Sequence, residues 1–215
     1  YFATALYTTW QIAPTARAAD VGPLIWIEAE AFAASNFAEH WQRTSMGKES
    51  LLSAGQWIMR GLNADEIKKL VPEQGVTLDY EVKVPSPGTY RFWARIGWFG
   101  SRADFAWKLG DSSWQSVSQD YPTTNLMELG FFTEVSWADL GVVRLDRDTT
   151  LHIQYKKATG DNSRMLMAAD CFAFVQGRFL ADGPFKPGES YAEPLDRQAA
   201  EQTFRLPTPA SAQRT

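Results

Sequence analysis

Residues 76–84 alternate strictly, with Val76, Leu78, Tyr80, Val82 and Val84 on one face and Thr77, Asp79, Glu81 and Lys83 on the other. That is the period of a strand with one buried side. Pro85-Ser86-Pro87-Gly88 follows, and residues 90–96 resume the pattern with Tyr90, Phe92, Ala94 and Ile96 on the apolar face. Two such runs around turn residues predict a β-hairpin. Further strands are predicted over 104–109, 114–119 and 132–137. Residues 140–145 and 150–156 read as a pair around Asp146-Arg147-Asp148, and 166–175 as the last strand. One short helix is expected over 64–70, where Asn63 is placed to cap and Ile67 and Leu70 share a face. Many short antiparallel strands joined by turns predict an all-β sandwich with a single short helix.

Acidic residues interrupt this pattern at its two ends. In Trp26-Ile27-Glu28-Ala29-Glu30-Ala31, alternation puts Trp26, Glu28 and Glu30 on one side and Ile25, Ile27 and Ala29 on the other. Asp170 stands inside the apolar run 165–175. Carboxylates in apolar strands are costly unless something neutralises them. First and last strands commonly lie together in a sandwich, so a hard cation with oxygen ligands is one economical answer. Exposed acids at a sheet edge are the other.

At 215 residues the chain holds one sizeable domain plus tails. A net charge of −4 argues against nucleic acid as the main partner, because phosphate neutralisation wants a basic face. No apolar run reaches the roughly 20 residues of a membrane span. Nine tryptophans beside seven tyrosines leave aromatic rings to spare for a stacking surface. Cys171 is the single cysteine, so no intrachain disulfide forms, and its apolar strand marks it as a small core residue. His40 and His152 belong to no recognisable motif. Residues 1–19 read as the remnant of an export signal, with the small residues Ala16 and Ala18 before a cut, or as an unstructured linker. The domain is expected over 20–177. Closely spaced prolines make 178–215 an extended linker towards a downstream domain. A secreted, periplasmic or cell-surface bacterial protein is the expected setting.

Several of these residues, taken in order, resemble the family 6 and family 35 carbohydrate-binding modules. They are Ile27-Glu28-Ala29-Glu30, the 80–96 segment with its Pro-Gly turn, Phe105-Ala106-Trp107-Lys108-Leu109, Ser113-Trp114-Gln115, and the 167–174 ending with Asp170. The resemblance covers about 24–176. It implies a galactose-binding-like β-jelly roll and a structural calcium ion held by Glu28, Glu30 and Asp170. It also implies polysaccharide or oligosaccharide binding, with catalysis expected in the domain beyond the Pro-rich tail of the same chain. One departure stands out: an asparagine often found two residues before the final aspartate is Ala168 here. The nearest polar candidates for sugar are Asn162 and Arg164, beside Asp161.

Sugar recognition needs a flat ring for the C–H face of a pyranose and planar polar groups for its hydroxyls. Gly97-Trp98-Phe99-Gly100-Ser101-Arg102 offers both, making Trp98, Phe99 and Arg102 the leading ligand-binding candidates. Arg102 would grip a hydroxyl pair or a uronate. Trp114 is expected in the core or at a sheet edge. Glu28 and Glu30 point the same way and cannot flank a glycosidic bond, so they are not a glycosidase pair. A non-catalytic carbohydrate-binding module is the leading reading. The alternatives are a structural docking sandwich of a glycoside hydrolase and a small polysaccharide lyase or hydrolase.

Overall fold

The computed structural model describes residues 22–130 and 132–187. The expectations for 1–19 and for 188–215 lie outside the described residues. In chain order the elements are β1 (Leu24–Glu28), β2 (Ala34–Ser35), β3 (Gln42–Thr44), β4 (Trp57–Leu62), α1 (Ala64–Leu70), β5 (Val76–Val82) and β6 (Gly88–Gly97). Then come β7 (Phe105–Leu109), β8 (Gln115–Val117), β9 (Thr124–Gly130), β10 (Thr133–Leu145), β11 (Thr149–Tyr155) and β12 (Met165–Val175). They form a jelly-roll sandwich of a seven-stranded and a five-stranded antiparallel sheet. The larger runs β3-β4-β12-β6-β10-β9, and the smaller runs β2-β5-β11-β7-β8. The first strand pairs with the last, as expected: β1 lies on β12 with Leu24 opposite Val175 and Glu28 opposite Cys171.

The apolar sides of both sheets meet in one core. Tyr90, Phe92, Ala94 and Ile96 from β6 join Val76, Leu78, Tyr80 and Val82 from β5. Phe92 stacks on Phe174 at 4.2 Å between centroids and meets Trp107 edge-on at 4.8 Å. The helix is fixed as the sequence requires. Asn63 Oδ1 accepts the Glu66 N–H, and Glu66 Oε2 accepts the Asn63 N–H, both at 3.0 Å.

Both expected hairpins are corrected. β5 pairs with β2 and β11, whereas β6 pairs with β10 and β12. Pro85-Ser86-Pro87-Gly88 is therefore a crossing between sheets. The Asp146-Arg147-Asp148 turn likewise carries the chain from β10 in one sheet to β11 in the other. The runs expected at 132–137 and 140–145 are one long strand, β10, whose register against β6 shifts between Asp139 and Gly141. Gly141 has φ of +96°, a conformation that glycine adopts readily.

The larger sheet is buried on its second face too. Leu52, Trp57, Trp98, Leu129, Val135 and Ala168 form one cluster there. Trp137, Cys171, Ala173 and Val175 form another, with Trp26, Trp93 and Phe179 packed on it. Phe179 reaches Trp26, Trp93 and Trp137 edge-on at 5.2–6.4 Å. Gly183 follows it, accepting from Trp137 Nε1 at 2.9 Å and donating to Asn125 Oδ1 at 2.8 Å. Residues 178–187, expected as the start of a linker, thus lie against the sheet.

Candidate functional site

Arg95 and Asp170 meet on that second face. Alternation along β6 sends Arg95 away from the core that Ala94 and Ile96 enter. Asp170 is the extra residue of a β-bulge, since Ala169 and Cys171 oppose the consecutive residues Ile96 and Arg95. The bulge keeps Asp170 and Cys171 on the same side before Phe172 returns to the core. Both charged side chains are 0% exposed, and Arg95 Nη1 donates to Asp170 Oδ2 at 2.6 Å. Arg95 also donates to Leu51 O at 2.9 Å, and the Ser53 N–H donates to Asp170 Oδ1 at 3.0 Å. Burial pushes the Asp170 carboxyl upward, against the downward pull of Arg95 and the Ser53 N–H.

The other two predicted metal ligands lie nearby, Glu28 acting on the charge of both Glu30 and Asp170, but each takes its own partners. Glu28 shares its face with Trp26, as alternation requires. Its Oε1 accepts from Trp26 Nε1 at 3.1 Å and pairs with Lys186 Nζ at 3.4 Å. Glu30 departs from the strand pattern because Ala29–Ala31 turns into a 3-10 helix. Its Oε1 accepts from Gln56 Nε2 at 3.1 Å, and burial raises its pKa. Glu28 Oε2 and Glu30 Oε2 are buried without a protein partner. A calcium ion asks for six to eight oxygens from a set free to converge on it. This set does not fit: Asp170 is taken up by a guanidinium. Among the described residues no group of three or more His, Cys, Asp or Glu side chains is arranged to hold a metal ion.

The predicted sugar residues also separate. Trp98 is only 7% exposed and packs on Trp57 with centroids 6.0 Å apart. Gly97 makes this possible, because a Cβ there would come within 2.8 Å of the Trp57 ring and of Ala168 Cβ. The indole is thus a plug beneath its loop, with no face free for a pyranose. Arg102 is 3% exposed, and its Nη2 donates to Tyr121 O at 2.6 Å and Ser118 O at 3.3 Å. It ties the loop to the 118–121 segment and offers no open fork. Phe99 is half-exposed. Asn162 and Arg164 are exposed and line a hollow of about 320 Å³ with Asn63, Asp65 and Asp161. Trp98, Phe99 and Arg102 are not among its lining residues.

A larger groove, of about 690 Å³, lies elsewhere. Trp107 and Leu109 of β7, Gln115 of β8 and residues 140–145 of β10 line it, together with Ser112, Ser113, Asp146, Arg147 and Thr149. It forms where the sheets part: β9 ends its pairing with β10 opposite Trp137, so the later half of β10 pairs with β6 alone. Trp114 is 42% exposed but is not one of the lining residues: it sits with Lys108 on the face opposite to the one that Trp107 and Gln115 share. Lys108 Nζ lies 5.2 Å from its ring centroid, which restrains the indole by a cation–π contact. Apolar walls, hydroxyls, an amide and two guanidinium groups thus surround a slot at the open end of the sandwich. Sequence reasoning missed this group. Ser112, Ser113 and Gln115 after the Gly110-Asp111 turn were its available signal, a polar cluster at the start of a strand.

No family model matches the sequence, and no curated protein does. Among solved structures, the chain is similar to the insecticidal crystal protein Cry2Aa, at 14% identity and a TM-score of 0.48, over 71% of this chain and 21% of that one. It is also similar to a family 6 carbohydrate-binding module from Clostridium cellulolyticum in complex with xylose, at 16% identity and a TM-score of 0.40, covering 70% of this chain and 96% of the module. A family 35 carbohydrate-binding module from Clostridium thermocellum gives 16% identity and a TM-score of 0.40, with 70% and 98% covered. These likenesses are of fold. The chain spans about a fifth of the length of the first.

Proposed function

We propose that the chain is a non-catalytic carbohydrate-binding module that takes a polysaccharide or oligosaccharide chain in the groove between β7, β8 and β10. The observation that carries the reading is the lining of that groove, where Trp107 and Leu109 give an apolar wall and Ser112, Ser113, Gln115 and Arg147 give polar groups. A pyranose offers an apolar C–H face to the wall made by Trp107 and Leu109 and hydroxyls to Ser112, Ser113, Gln115 and Arg147. Asp146 is the one carboxylate lining the groove, and it is paired with Arg144 at 2.9 Å. Glycoside hydrolysis by the usual route needs two carboxylates flanking the bond, so binding without turnover fits this lining better. An exported, polysaccharide-active protein with its catalysis in a further domain is the setting such a module serves.

Glycan-array binding followed by affinity electrophoresis on the hit tests the reading. The double variant Gln115→Ala with Arg147→Ala should weaken binding about tenfold or more, equivalent to roughly 1.4 kcal/mol, with an unchanged melting temperature. Undiminished binding by that double variant would move the site elsewhere. Absence of any glycan ligand would favour a docking role, and release of shorter sugars would establish an enzyme.

A further inference from the structure

Three carboxylates sit where the two ends of the fold close, and each has a protein partner on at least one oxygen, with Glu28 Oε2 and Glu30 Oε2 buried without one. Asp170 meets Arg95 from β6 at 2.6 Å, with both groups sealed from solvent. Glu28 meets Lys186, from the segment after β12, at 3.4 Å. Glu30 takes Gln56 at 3.1 Å and lies in the field of Arg43 from β3, whose Nη2 donates to the Glu30 carbonyl at 3.3 Å. Two of the acids are therefore paired with cations, and the third has an amide partner with a guanidinium on its backbone. The closest pair lies at the bulge, where β12 leaves its pairing with β4 and takes up β1 instead.

We infer that Arg95 stands in for a metal ion at this closure, so that the domain folds and persists without calcium. A dication bound at Asp170 would compete with the guanidinium for the same oxygen and be repelled by its charge. It would also need several further oxygens at 2.3–2.6 Å. Asp170 Oδ1 and Oδ2 are already committed to the Ser53 N–H and Arg95. Leu51 O, a backbone carbonyl of the kind that would complete a calcium shell, also accepts from Arg95. The guanidinium thus collects a carboxylate and a carbonyl as an ion would. Its attachment to β6 makes the interaction part of the fold itself.

Metal analysis of the full chain, purified without added divalent ions, should find far less than one equivalent of calcium. Its melting temperature should move by no more than about 2 °C between chelator and millimolar calcium chloride. Stoichiometric calcium, or a drop of several degrees in chelator, would overturn the inference. Arg95→Gln removes the cation and leaves the acids in place. This variant should gain what the natural chain lacks, a melting temperature that rises by several degrees with calcium. If it does not fold alone, refolding yield with and without calcium reads the same property, and recovery only with calcium agrees with the substitution. A variant indifferent to calcium in both measurements would refute the stand-in role. None of these readouts depends on sugar binding.

Discussion

Replacing Arg95 by methionine removes one charge while leaving its partner in place. Asp170, fully buried, then loses the 2.6 Å contact and keeps the Ser53 N–H. Leu51 O and Met127 Sδ lose a donor as well. Removing one member of a buried pair costs about 3–5 kcal/mol, because the other charge remains desolvated and uncompensated. Against a total stability of about 5–15 kcal/mol for a domain, that is a large fraction. The double variant Arg95→Met with Asp170→Leu removes both desolvation costs. It leaves the Ser53 N–H wanting an acceptor and Leu51 O wanting a donor, at about 1–3 kcal/mol each. The double variant should therefore be more stable than Arg95→Met alone, with a coupling energy above about 2 kcal/mol. Urea unfolding followed by tryptophan fluorescence measures all four corners of the cycle. A single-variant loss below about 1 kcal/mol, or simple additivity, would refute the view that this pair is tightly coupled.

Other substitutions separate packing from binding. Trp98→Ala should cost about 3–5 kcal/mol in urea unfolding, as a buried aromatic does, and leave glycan affinity of the folded protein unchanged. A stable variant with lost affinity would restore Trp98 as the stacking ring. Phe179→Ala should cost about 2 kcal/mol by opening the space between Trp26, Trp93 and Trp137, and no loss would mean that the 177–187 segment is not docked in solution. Arg91 holds the Asp139 carboxyl below its usual 3.8. A depressed folded value stabilises above the unfolded pKa and is lost as pH falls through the folded one. Arg91→Ala should therefore raise the Asp139 midpoint in carboxyl NMR titrations and shrink the stability gained between acid and neutral pH. An unmoved midpoint would exclude this pairing.

Alternation and caps were legible in the sequence, but strand partners were not. Val76 to Val84 disclosed its buried face, yet the same pattern suits a strand whether its neighbour in sequence pairs with it or crosses to the opposite sheet. Pro85-Ser86-Pro87-Gly88 permits either. Asn63 and Glu66 were more informative because a capping box is a purely local device. For Glu28 and Asp170 the proximity of the chain ends was readable, since β1 does pair with β12. The neutralising cation was not, because Arg95 lies 75 residues from Asp170 and reaches it only through sheet pairing and a bulge. Trp98 misled because glycine neighbours suggest an open loop. Gly97 in fact clears room for the Trp57 ring. Trp114 was assigned to packing because an isolated ring after a polar turn has no period that reveals its exposure.

The two sheets have unequal freedom to change. Nearly every side chain of β12 is hidden, on either face of its sheet, whereas Thr77, Glu81 and Gln154 on the smaller sheet remain accessible to water. Random drift should accumulate on the smaller sheet and be purged from the larger. The same asymmetry marks Thr77 and Glu81 as the positions for an immobilisation handle or a dye, where chemistry can be added without touching the packed layers.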